Sequence, residues 1–160
     1  MPQTGTVTHA AGQTQAGRLA RVRMASLGAV VMLILEFILG MIYNLYGTAP
    51  TAAKPVGLFS SPDLALHVIL GILLFVAAVA LLIRAIGAGH RLAIWMSAVG
   101  LASIIGGGFA GLGFTSSGAS GASLGMSIAF AVALACYVVL VFALAPPEQS
   151  AGARRPRRPA

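Results

Sequence analysis

Between Arg23 and Gly47 the chain runs RMASLGAVVMLILEFILGMIYNLYG, about 23 residues of near-continuous hydrophobe with a single charged side chain inside it, Glu36. At ~1.5 Å of rise per residue a helix of that length crosses a bilayer core of ~30 Å. Three more apolar blocks of similar length follow. The chain has 160 residues, 58% hydrophobic and 8% charged. A soluble domain carries roughly 25% charged residues, so this chain cannot cover itself with solvated charge. The expected fold is all-α: a single transmembrane four-helix bundle running up-down-up-down.

The helices are expected near 24–46, 62–86, 91–114 and 121–145, forming a transmembrane domain over 24–145. Residues 1–23 read as a disordered tail that ends in a basic flank, and residues 146–160 as a disordered, basic, proline-containing tail. The first block is longer than the 7–15 residues of a signal-peptide core, so it is expected to stay as an uncleaved first helix. Gly47 and Pro50 stop that helix. Ser61-Pro62-Asp63 opens the second, with Ser61 as N-cap, Pro62 in the first turn and Asp63 complementing the helix dipole. In the link between them, Leu58 and Phe59 are expected to lie back on the membrane surface. Gly87-Ala88-Gly89 and the Ser/Gly run 115–120 are turns, short enough to make helices 2, 3 and 4 successive antiparallel neighbours.

The net charge is +7, and the arginines flank apolar blocks or sit in the tails. A nucleic-acid face would interleave them with polar and aromatic residues on a folded surface, so no nucleic-acid partner is expected. Cations beside membrane segments set topology and touch anionic lipid, which makes the lipid bilayer the first expected partner. Arg18, Arg21, Arg23, Arg84, Arg91, Arg154, Arg155, Arg157 and Arg158 all fall on one side of a four-pass chain, and Lys54 alone on the other. The positive-inside rule then puts both termini in the cytoplasm. High Ala, Gly and Arg content suits a GC-rich bacterial genome, hence a bacterial inner membrane. The one cysteine, Cys136, rules out an intramolecular disulfide and reads as a small buried packing residue.

Lipid gives helices no hydrophobic reason to associate, so small residues mark their contacts. Gly28, Met32, Glu36, Gly40 and Asn44 recur at steps of four along the first helix and form one stripe. His67 and Gly71 share a face of the second. Gly107-xxx-Gly111 and Gly121-xxx-Gly125 occupy adjoining ends of helices 3 and 4, which are expected to meet closely there.

Intramembrane ionisable residues are functional hypotheses by default. From helix rise, Glu36 lies within about 1 Å of the midplane, while His67, Tyr43 and Asn44 lie about 10–13 Å to the outer side. This arithmetic separates Glu36 from His67 by about 10 Å and leaves no cation at the level of Glu36. A protonated Glu36 then either donates a hydrogen bond to a neighbouring helix or carries a proton for a transporter. His67 reads as a proton relay, as a partner of Tyr43 or Asn44, or as a haem or copper ligand. His90 and His9 lie at the far end, so a second ligand would fall to Met41 or Met126, both near the level of His67.

The pair Glu36-xxx-Gly40 and His67-xxx-Gly71 resembles the first two helices of the four-helix halves of membrane cytochromes such as haem A synthase. There a ligand histidine, with glycine one turn later, faces the haem. The resemblance spans about 60 residues and implies haem as a cofactor with His67 toward it. A four-helix chain with a first-helix Glu is also similar to the small multidrug resistance transporters, which are shorter and have little in the way of tails.

No Ser/His/Asp set, phosphate loop or metal-spaced cluster supports soluble-type catalysis. The leading expectation is a non-enzymatic accessory or scaffold subunit, partnered by another membrane protein or by itself. The alternatives are a proton-linked small-solute transporter using Glu36 and a haem or copper redox protein using His67.

Overall fold

A computed structural model describes residues 5–145, with side chains from residue 15 onward. It contains four helices: α1 (Gly5–Tyr46), α2 (Pro62–Ala88), α3 (Arg91–Ser117) and α4 (Ser120–Ala143). Each is long and apolar enough to cross a membrane, α1 over Gln15–Tyr46, and the chain is a multi-pass membrane protein with four candidate spans. Successive helices pack antiparallel, and α4 closes the ring against α1, with the α1–α2 and α3–α4 pairs the most intimate. Lipid-facing side chains such as Val31, Leu35, Ile38 and Ile83 are exposed, as a bilayer environment requires. Tyr46 and Trp95, 84% and 63% exposed, stand toward opposite ends of the bundle, where amphipathic rings suit the headgroup level.

Helix α1 starts well upstream of the expected Met24, while its C-terminus at Tyr46 coincides with the expected stop. The expected tail at 146–160 lies outside the described residues. Helices α2 and α3 end on Gly89 (φ 67°) and Gly118 (φ 68°), whose N–H groups return to the carbonyls of Ile86 and Phe114. Ser61 occupies the N-cap of α2, but its hydroxyl makes no capping bond. At the start of α3, His90 Nδ1 accepts the N–H of Ala93 at 3.4 Å, so this histidine is accounted for as a cap.

The link from α1 to α2 crosses the end of the bundle to the α3–α4 turn. Thr51 and Lys54 pair as a short antiparallel bridge, and the Val56 N–H donates to the Thr115 carbonyl at 2.9 Å. Leu58 is thereby directed inward, and only Phe59 of the expected surface pair is strongly exposed. At the crossing, a Cβ on Gly118 would run into the backbone carbonyl of Pro50. Gly118→Ala therefore meets both a left-handed backbone and a backbone obstacle. It is expected to cost about 1–3 kcal/mol, read as a lowered unfolding temperature in detergent.

The two halves of the bundle are packed differently. Toward the arginine-bearing end, Val22, Ala29, Leu33, Leu74, Ala78, Leu81, Ala85, Ala93, Ala133, Cys136, Tyr137 and Leu140 form one buried cluster. Cys136 is free and buried there. The half beneath the link is hollow.

Candidate functional site

The hollow half is a cavity of about 630 Å³ bordered by all four helices and by Leu58 of the link. Gly40, Gly71, Gly107, Gly108 and Gly111 all border it, and of these Gly108 has open space over it, with nothing within 4 Å of where a Cβ would stand. Phe37 of α1 stacks on Phe130 of α4, ring centroids 4.9 Å apart, and seals that seam. On the α2–α3 side the bordering residues are themselves exposed, Ile72 by 57% and Phe109 by 71%, so the mouth faces the surrounding lipid.

Most of the lining is apolar. Ser103, Ser127 and Thr115 turn their hydroxyls back to carbonyls of their own helices (Val99, Ser123 and Leu112), so they offer the cavity little. The exception is the pair at its inner end. Glu36 Oε1 lies 3.2 Å from His67 Nδ1, with 27% of the His67 side chain and 16% of the Glu36 side chain exposed. The approach is off-line for a hydrogen bond, and both His67 Nδ1 and Glu36 Oε2 are buried without a hydrogen-bond partner.

This contact corrects the separation of about 10 Å expected from equal-span arithmetic. Contacts between the helices, not span lengths, set where the two side chains meet: Gly40 lies against the His67 ring and Gly71 against the Glu36 carboxyl. A Cβ on Gly40 would stand 3.2 Å from His67 Cε1, and one on Gly71 2.9 Å from Glu36 Oε1. Each polar side chain lies in the notch left by the glycine one turn from its partner. The two spacings, Glu-xxx-Gly and His-xxx-Gly, are reciprocal halves of one cradle.

The other candidate residues fall around this pair. Tyr43 is buried, but its hydroxyl donates to the Thr48 carbonyl at 3.0 Å and caps the end of α1 rather than engaging His67. Asn44 borders the cavity near the link. Met41 and Met126 border the same cavity as His67, and a Cβ on Gly111 would stand 3.3 Å from the Met126 sulfur. Among the described residues no three His, Cys, Asp or Glu side chains group closely enough to hold a metal ion. Along the α3–α4 seam, Gly107 faces Ala129, Gly111 faces Met126 and Gly125 faces Ala110, while Gly121 has open space over it.

Chemically, the pair brings one carboxyl and one imidazole to within 3.2 Å, two groups either of which can hold a proton. Each has one buried polar atom without a hydrogen-bond partner. Leu58, Phe37 and Phe130 had no signal in the sequence as site residues. Glycine one turn from each ionisable residue was the available signal for the pair itself.

No protein-family model, curated protein or solved structure matches this chain.

Proposed function

We propose that this protein is a proton-linked carrier of a small, largely apolar solute bearing a basic or hydrogen-bonding group. The observation that carries this reading is the Glu36–His67 contact at the inner end of a hollow half-bundle. Solute enters from the lipid between α2 and α3. Its polar group meets the Glu36–His67 pair, and a proton carried by the pair leaves as that interaction forms. Burial makes the exchange tight, because an extra charge at this depth is costly and the site favours one cation at a time.

The reading also fixes a direction. The described arginines gather at the packed end of the bundle and Lys54 at the hollow end, so we place both termini in the cytoplasm of a bacterial cell and open the cavity to the outer half of its membrane. A scaffold or accessory subunit is the weaker reading, since it calls for neither a cavity nor an ionisable pair within it.

The test is flux. Proteoliposomes with an imposed pH gradient are offered a panel of lipophilic amines, and proton movement is followed with an internal pH dye. Solute-dependent proton movement is expected for the wild-type protein, with at least a hundred-fold loss in Glu36→Gln, which keeps the side-chain shape but cannot release a proton at neutral pH. Equal flux in the two proteins would end the proposal.

A further inference from the structure

At the packed end of the bundle, α1 and α2 frame a second, shallower groove. Arg18, Arg21 and Arg84 line it, with Met24, Ala25 and Gly87 between them. Arg18 and Arg21 lie one turn apart on α1, and Arg84 reaches in from α2. Arg18 is anchored, its Nη1 donating to the Gly87 carbonyl at 3.1 Å in the last turn of α2. Arg21 and Arg84 make no side-chain hydrogen bond among the described residues, and no carboxylate there neutralises them. Of the three acidic residues in the chain, Glu36 lies mid-bundle, Asp63 opens α2 at the other end, and Glu148 falls outside the described residues.

Three arginines that line one groove, with no counter-charge beside them among the described residues, favour an anion. The planar fork of arginine matches phosphate oxygens in pairs. Depth decides which phosphate. The groove lies where the apolar spans of both helices begin and end, and Met24, 64% exposed, carries it directly onto the lipid-facing wall. Gly87 adds no side chain to obstruct it, since nothing stands within 4 Å of where its Cβ would be.

We infer that this groove is a binding site for an anionic phospholipid, its phosphate held by Arg21 and Arg84, with Arg18 fixing the rim and an acyl chain lying along Met24. This site is independent of the carrier cavity and stands whether or not the carrier reading holds.

The experiment uses the full chain in detergent micelles, supplied in turn with phosphatidylglycerol, phosphatidylcholine or inorganic phosphate. Retained lipid is counted by native mass spectrometry, and unfolding temperature is measured in parallel. Phosphatidylglycerol is expected to be retained over phosphatidylcholine and to raise the unfolding temperature. Arg21→Gln and Arg84→Gln should each lower its retention about five-fold, the worth of one cation near an anionic surface. Arg91→Gln, at the same end but outside the groove, should leave retention unchanged. Unfolding temperatures in phosphatidylcholine verify that the variants fold. Arg21→Lys and Arg84→Lys serve in their place if they do not, with a smaller loss expected from the missing fork.

An equal loss in Arg91→Gln would show diffuse surface charge and overturn the site. Stabilisation by inorganic phosphate equal to that by phosphatidylglycerol would overturn the lipid assignment. Unchanged retention in the groove variants would overturn both.

Discussion

The double variant Glu36→Leu/His67→Leu is expected to be more stable than the wild-type protein, by about 1–4 kcal/mol, and to carry no proton. The wild-type pair leaves Glu36 Oε2 and His67 Nδ1 buried without hydrogen-bond partners. An incompletely satisfied polar pair costs more than an apolar pair of similar volume in the same space. Each single substitution should move the other way. Glu36→Leu leaves the imidazole facing hydrocarbon, and His67→Leu leaves the carboxyl there, each at about 1–3 kcal/mol. The four proteins form a double-mutant cycle, readable by reversible unfolding in mixed micelles of increasing dodecyl sulfate fraction. The sign separates function from glue. Were Glu36 present to tie α1 to α2, the double variant would be the least stable of the four. A protein that gains stability by losing the pair retains it for another reason, as expected where activity depends on a strained or unsatisfied site.

The architecture was legible because it follows from quantities a sequence states directly. Block length and charge content dictate four helices, and the glycines after Ile86 and Phe114 dictate where α2 and α3 turn. The site was legible in its members but not in its geometry. Glu36, His67, Gly40 and Gly71 all stand out on the sequence, yet pairing them requires the helix register to within one turn. That register is set by contacts between helices, not by the length of each. The seating of His67 against Gly40 and of Glu36 against Gly71 turned the expected separation into a contact. The cavity was hidden for a related reason. Glycines such as Gly107 and Gly111 read as close-packing signals, and they do face α4, yet they also border the cavity. The path of the link was not legible because Val56 is tied by its backbone to Thr115, a bond to which no side chain in the link testifies.

The contrast between the two halves gives a large stability effect from one methyl group. Gly100→Ala should destabilise the protein by about 3 kcal/mol. Its Cβ would stand 2.5 Å from Tyr137 Cε1, 2.7 Å from Cζ and 2.9 Å from the hydroxyl oxygen. Tyr137 is fully buried in the packed half, in one cluster with Leu81, Leu140 and Cys136, so the ring has little room to yield. Thermal unfolding in detergent measures the loss, and Gly100→Ala/Tyr137→Leu should recover most of it by removing the ring. The same change in the hollow half should behave differently. A Cβ on Gly107 would stand 3.4 Å from that of Ala129, close to ordinary contact, and one on Gly108 would meet nothing within 4 Å. Gly108→Ala is therefore expected to leave stability unchanged while narrowing the cavity. If Gly100→Ala and Gly108→Ala were tolerated alike, the bundle would not be divided into a rigid half and a hollow one. A division of that kind keeps the Glu36–His67 pair in register from one side while leaving room for a solute on the other.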